Sequence, residues 1–279
     1  MNDQVVLITG CSSGIGLAAA VAFAQRGATV VATMRNLDRS GDLRAALAAA
    51  GVGVDVDVMQ LDVTDDTSVA AAAEAVVAQH GRIDVVVNNA GVGCDGTMEE
   101  LTLNDFRDVL DANFFGVLRL CKAVMPAMRE RGSGRLIAVS SMAGTLGQPF
   151  NDAYCASKFA LEGLMESLHP VAATFGVDVC IVEPGPVTGT FVDSSTGAGA
   201  RAADSPYVAV RERFSAVQRG AYEIAQTPQE IAAVLLDVAT TPTPHLRYQT
   251  SDGGSRLIGV KIKDLTGERL TGLTRSWIE

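Results

Sequence analysis

Val5-Val6-Leu7-Ile8-Thr9-Gly10-Cys11-Ser12-Ser13-Gly14-Ile15-Gly16 opens the chain with an unbroken apolar run that gives way to glycines at 10, 14 and 16. A continuous branched run suits a strand buried on both faces. The alanine-rich stretch that follows suits a helix packed directly on it. The first glycine permits a tight turn, and the later ones let backbone amides approach a pyrophosphate at the helix N-terminus. Gly10, Ser12, Ser13, Gly14, Ile15 and Gly16 are therefore candidate phosphate-binding positions. A plain strand-to-helix turn is the rival reading, disfavoured because the loop sits between a clear strand and a clear helix.

Outward from this loop, short apolar runs recur at 5–8, 29–32, 54–61, 83–87, 136–139 and 177–182, with helical stretches between them. Alternation of buried strands with helices of ten or more residues implies right-handed βαβ units and a doubly wound parallel sheet. Gly27, Gly81 and Gly132 stand where three helices should end. Thr227-Pro228-Gln229-Glu230 offers an N-cap, a proline in the first turn and a reciprocal glutamate, opening a helix over 231–239; a last strand is expected within 245–250.

At 279 residues and 48% hydrophobic composition the chain can bury one large core, and no low-complexity linker divides it, so one domain is expected. A net charge of -10 argues against a nucleic-acid surface, which needs clustered cations. Cys11, Cys94, Cys121, Cys155 and Cys180 are scattered without metal-ligand spacing and read as reduced, buried thiols of a cytoplasmic protein. No metal-binding motif is expected. The first strand begins too early for a signal peptide, and no apolar run reaches membrane-spanning length.

The second strand runs into Ala32-Thr33-Met34-Arg35, where an NAD-specific protein usually places an acidic residue for the ribose hydroxyls. Met34 cannot serve, whereas Arg35, with Ser12 reaching across, can hold a 2'-phosphate; NADP(H) is favoured over NAD(H). A solvated surface arginine is the alternative. Asp62, before Val63 at the end of the third strand, can accept from an adenine amino group or cap the next helix. Asn88-Asn89-Ala90-Gly91 lets the chain pass close to a ribose while its carboxamides tie strand ends together.

Tyr154 and Lys158 lie four residues apart in Tyr-Cys-Ala-Ser-Lys, and Ser141 lies thirteen residues before Tyr154. Positions i and i+4 share a helix face, so phenol and ammonium can converge. A nearby cation favours the phenolate, which suits Tyr154 to proton exchange with an alcohol or ketone. With the glycine loop, this pair points to a nicotinamide-dependent oxidoreductase.

At these residues the chain resembles the short-chain dehydrogenase/reductase family over about 5–250, through the motifs at 9–16, 88–91, 111–116, 139–144 and 154–158. The resemblance implies a tetrad of Asn113, Ser141, Tyr154 and Lys158: Tyr154 as general acid or base, Ser141 on the reacting oxygen, Lys158 on the nicotinamide ribose and lowering the Tyr154 pKa, and Asn113 holding a water. Pro184, Gly185, Val187 and Thr188 resemble the loop that binds the carboxamide; Gly189 stands where a threonine is usual, leaving Thr188 or Thr190 to serve. Stretches 149–168 and 226–248 resemble the branch of 17β-hydroxysteroid and retinol dehydrogenases, which implies a bulky apolar alcohol/ketone pair.

On this reading 1–189 form the cofactor-binding and catalytic core, 190–226 a substrate lid and 227–279 the last helix, strand and tail. The lid has an amphipathic stretch near 207–217, and the tail from 257 to 278 is expected to pack on it rather than insert in a membrane. Phe114, Phe115 and Phe159 are expected in the core or a subunit interface, and the resemblance implies a homodimer or homotetramer. Two rivals are a silent NADP(H)-binding sensor or scaffold, against which the complete tetrad argues, and a nucleotide-sugar epimerase or dehydratase, against which the short C-terminal part argues.

Overall fold

A computed structural model describes residues 1, 3–52, 56–189, 205–264, 266 and 268–277. In chain order the elements are β1 (Val5–Thr9), α1 (Gly14–Gln25), β2 (Thr29–Met34), α2 (Gly41–Ala49), β3 (Val56–Gln60), α3 (Asp66–His80), β4 (Val85–Asn88), α4 (Leu103–Leu110), α5 (Gly116–Arg131), β5 (Gly134–Val139), α6 (Asp152–Ala173), β6 (Val177–Glu183), α7 (Val208–Glu223), α8 (Pro228–Thr240), β7 (Arg247–Gln249), α9 (Asp252–Ile262) and α10 (Glu268–Ser276).

The seven strands among the described residues are all parallel, in the order β3-β2-β1-β4-β5-β6-β7. Strand pleating sends successive side chains to opposite faces. Val6 and Ile8 accordingly join one core layer with α1, α2 and α8, and Val5 and Leu7 join the other with α3, α5 and α6. The sheet is thus a doubly wound Rossmann-type layer covered on both faces, which explains why its strands read as unbroken apolar runs. Asp84 fastens its start: its carboxylate accepts from Val5 N at 2.9 Å and its own amide donates to Val5 O at 2.9 Å.

Sequence punctuation matches the element ends. Gly27, Gly81 and Gly132 have φ of 78°, 77° and 72°, a region open to glycine at little cost. Thr227 and Glu230 form a reciprocal capping box on α8. Helix α4 was not apparent as a separate element; it carries its own Thr102/Asp105 capping box and runs through a π turn, Asp111–Phe115, into α5. That turn carries Asn113. Expectations at 54, 55 and 190–204, the first part of the lid insertion, and at 265, 267 and 278 in the tail lie outside the described residues.

Of the aromatics expected in the core or a subunit interface, two lie on the surface of this single chain. Phe115 and Phe159 are 45% and 38% exposed, with Lys261 Nζ stacked 3.8 Å from the Phe159 ring centre. The five cysteines are all buried, and none forms a disulfide. Among the described residues no helix is long and apolar enough to cross a membrane, and no cluster of His, Cys, Asp or Glu could hold a metal ion.

Candidate active site

The order of the sheet reverses between β1 and β4, and the candidate residues collect beyond the carboxyl ends of the strands at that switch point, where ligands of open α/β sheets bind. Thr9, unremarked in the sequence reading, ties the two strand ends together. Its Oγ1 accepts from the amides of Asn89 and Ala90, each at 3.0 Å, while Asn89 Nδ2 donates to Thr9 O at 2.9 Å and Gly10 O at 3.3 Å.

The loop 10–16 is shaped for close approach. A Cβ on Gly16 would overlap Gly10 O and lie 2.5 Å from Asn89 Nδ2, so only glycine lets α1 seat this close to β1 and β4. Gly14, at φ 55°, has open space where a Cβ would be. Ser13 is the N-cap of α1 but makes no side-chain capping bond. An uncapped helix end beside an open glycine fits an anionic pyrophosphate; Ser12 and Ile15, half-buried, flank it.

Arg35 lies just beyond β2 and is exposed, and its side chain carries no hydrogen bond or ion pair among the described residues. Asp62 accepts from Thr64 N at 3.0 Å and Thr64 Oγ1 at 2.7 Å, while the cap of α3 is Asp65, which accepts from Thr67 and Ser68 amides. The capping alternative for Asp62 is therefore corrected: the helix begins three residues later than that reading needed. Val63 packs against Gly116, where a Cβ would come 2.8 Å from its own Cβ.

Helix α6 and the turn after β5 assemble the reacting groups. Ser141 and Tyr154 share a side-chain hydrogen bond, and Ser141 Oγ also accepts from Ala143 N at 3.1 Å. The neighbouring Ser140 is turned into the interior, its Oγ buried beside Gly144. Lys158, 4% exposed, donates to Val139 O at 2.9 Å and lies 5.8 Å from the Tyr154 ring centre. Gly91 adjoins it: a Cβ there would sit 3.8 Å from Lys158 Nζ and 2.9 Å from Asn113 Oδ1. The Asn113 carboxamide is already engaged, Oδ1 accepting from Val92 N at 2.8 Å and Nδ2 donating to Val92 O at 2.9 Å and Ser157 Oγ at 3.0 Å.

The expected lowering of the Tyr154 pKa by Lys158 is not what this arrangement gives. Burial pushes the phenol up, the Ser141 hydrogen bond offsets part of that, and Cys155 and Tyr222 push it further. Burial likewise pushes Lys158 down to about 8, against the pull of Glu162. Each group resists its charged form because water is excluded.

Pro184 and Gly185 follow β6, Val187 pairs with Gln226, and Thr188, an exposed residue, donates both its amide, at 2.8 Å, and its hydroxyl, at 3.4 Å, to Gln226 O. Thr190 lies outside the described residues. Helix α7 covers this end of the molecule. Arg211 bridges Asp95 Oδ2 at 2.9 Å and Glu100 Oε2 at 2.6 Å with its guanidinium 4.4 Å from the Phe150 ring centre, and Phe214 packs between Phe150 and Trp277. The sequence reading missed Arg211 because its partners lie over a hundred positions away.

The family model described as short chain dehydrogenase matches residues 4–200. The chain is 42% identical over 275 residues to 17-beta-hydroxysteroid dehydrogenase type 1 of Homo sapiens, covering 96% of this chain and 83% of that protein. It is 40% identical over 273 residues to retinol dehydrogenase 8 of Bos taurus, covering 95% and 86%. Among solved structures, a short-chain dehydrogenase from Streptomyces avermitilis superposes with a TM-score of 0.79 at 34% identity, covering 96% of this chain and 97% of that one.

Proposed function

The chain belongs to the short-chain dehydrogenase family, and from that premise we propose that it is an NADP(H)-dependent oxidoreductase interconverting a bulky hydrophobic ketone and its alcohol, of the steroid or retinoid kind. The observation that carries this reading is the Ser141–Tyr154 hydrogen bond, with buried Lys158 one turn further along the same helix.

Bound NADP(H) supplies or accepts the hydride. Tyr154 exchanges the proton with the substrate oxygen, and Ser141, already bonded to that phenol, positions the same oxygen. A phenol kept protonated by its surroundings is suited to donating, as carbonyl reduction requires. Lys158 holds the nicotinamide ribose hydroxyls beside Gly91, and Asn113 braces that wall through Val92. Gly10, Ser12, Ser13, Gly14, Ile15 and Gly16 take the pyrophosphate, Asp62 and Val63 border the adenine, and Asn89, Ala90 and Gly91 border the ribose. Pro184, Gly185, Val187 and Thr188 or Thr190 hold the carboxamide.

Exposed Arg35 supports the preference for NADP(H), because a guanidinium at the end of β2 can pair with a 2'-phosphate at small desolvation cost. Tyr222 of α7, close enough to act on the titration of Tyr154, supports 190–226 as a lid over an apolar substrate. Exposed Phe115 and Phe159 are suited to a homodimer or homotetramer contact, and a cytoplasmic location agrees with five cysteines outside any disulfide. The test is oxidation of NADPH and NADH across steroid ketones, retinal, aryl ketones and acyl-chain ketones. Turnover that prefers NADPH and vanishes in Tyr154→Phe supports the reading; tight NADPH binding without turnover of any ketone favours the sensor.

A further inference from the structure

Lys158 is a buried cation whose hydrogen bond goes to a neutral acceptor, Val139 O. An ammonium in such a place tends to lose its proton unless a negative charge compensates it. One helical turn further along α6 stands Glu162, also buried, with a side chain 7% exposed. Its Oε2 accepts from Arg247 Nε at 3.1 Å, while its Oε1 lies beside the buried Ser140 hydroxyl, whose hydrogen bond works against the effect of burial. Both converge on Gly144, where a Cβ would come 2.6 Å from Ser140 Oγ and 3.2 Å from Glu162 Oε1. Glycine at 144 leaves the space in which they meet, directly behind the Ser141 turn.

The charges around Glu162 do not balance without Lys158. Arg247 from β7 serves three carboxylates: Glu162, Glu166 of the same helix at 2.7 Å, and Glu183 of β6 at 3.6 Å. Glu183, whose side chain has no exposed surface, is also held by Thr145 Oγ1 at 3.0 Å and by Gln249. One guanidinium against three carboxylates leaves a negative surplus, and Lys158 lies on the same helix face as Glu162.

Resting on the reading that Lys158 acts as a cation at the cofactor ribose, we propose that Glu162 is the positioning residue that keeps Lys158 charged, supplying through the buried space the counter-charge that the active centre itself lacks. Glu162 touches neither substrate nor cofactor on this view; it acts through Lys158. Burial, with Glu183 adding to it, pushes Glu162 up to about 7, so it is an anion in the range where Lys158, at about 8, begins to lose its proton.

The test is the pH dependence of the NADPH dissociation constant, read by fluorescence without turnover, for the wild type, Glu162→Gln, Glu162→Asp and Lys158→Met. Wild-type binding should weaken on an alkaline limb that Lys158→Met abolishes. In Glu162→Gln, which keeps the side-chain shape, that limb should move to lower pH by about one unit, the size expected for losing one buried charge a helical turn away. Glu162→Asp, with its charge retained but withdrawn, should fall between the two. A merely structural role predicts lower thermal stability with the limb unmoved, and an unmoved limb overturns the inference. A wild type with no limb, matching Lys158→Met throughout, sinks the reading of Lys158 and the inference with it. If Glu162→Gln does not fold, Glu162→Asp decides: a limb displaced downward supports the inference, and one superposed on wild type overturns it.

Discussion

Lys158 turns its ammonium to the Val139 carbonyl oxygen at 2.9 Å and stands over the Tyr154 ring, 5.8 Å from its centre, one turn along the same helix. Burial pushes the Tyr154 phenol well above its ordinary pKa, and the Ser141 hydrogen bond offsets only part of that. Position along a helix brings two groups to one region; their local acceptors decide how they face.

Tyr154→Phe should lower turnover by about a thousandfold, within the range for removing a positioned proton donor. NADPH affinity should change less than about threefold, because the ring and its packing remain. Stopped-flow turnover and equilibrium binding check both halves. Retained turnover would remove Tyr154 from the proton-transfer role.

Arg35→Ala should raise the NADPH dissociation constant by roughly ten- to a hundredfold, as expected for losing one charge-assisted hydrogen bond of about 1.5–3 kcal/mol. NADH binding should barely change, since Arg35 is exposed and bonded to nothing else among the described residues. Calorimetric titration of both cofactors decides it, and equal effects would sink the 2'-phosphate assignment.

Gly14 and Gly16 separate backbone freedom from close packing. Gly14→Ala meets open space at φ 55°, so it should lower stability by about 1–2 kcal/mol, the cost of a left-handed residue. Gly16→Ala drives a methyl into Gly10 O and Asn89 Nδ2 and should cost severalfold more, or prevent folding. Urea unfolding of the two variants checks the ranking, and the reverse order would contradict the packing described for α1.

Much of this was legible because the parallel sheet is buried on both faces, which forces unbroken apolar runs and glycine turns into the sequence itself. The loop 10–16, the helix ends at Gly81 and Gly132 and the capping box at Thr227 are local signals, and each element lies where they pointed. What escaped was non-local. Arg211 pairs across more than a hundred residues, Thr9 bonds to Asn89 across eighty, and the carboxamide of Asn113 is consumed by Val92. Glu162 was visible in principle, four residues after Lys158, but its burial became apparent only once β6 and β7 closed over it.

Arg211 should control how firmly α7 sits over the site. Its side chain is 16% exposed and joins two carboxylates, one of them 7% exposed, so Arg211→Ala takes a shared cation away from two acids. The Michaelis constant for a bulky ketone should rise about tenfold with kcat within about twofold, since a loosened lid weakens binding more than chemistry. Arg211→Lys should rescue only part, because an ammonium cannot bridge both carboxylates and stack on Phe150. Exchange of 190–220 should alter substrate preference and leave cofactor preference unchanged; an unaltered substrate profile would detach the lid from the pocket.

Glu162 and Lys158 should leave opposite marks on stability against pH. Glu162 is pushed up from 4.5 to about 7 by burial, so the folded chain holds that proton more tightly than the unfolded one. Its contribution is complete below 4.5 and is lost as pH rises through about 7. Lys158 is pushed down from 10.5 to about 8, so the cost of burying its charge is relieved as pH climbs from about 8 towards 10.5. The wild type should therefore be least stable between these two windows, and Glu162→Gln should lose the decline on the acid side while keeping the recovery on the alkaline side. Because the amide no longer supports the ammonium, that recovery should also begin at lower pH. Thermal melting across the pH range reads both effects, and an unchanged acid-side decline in Glu162→Gln would assign that titration to another carboxylate.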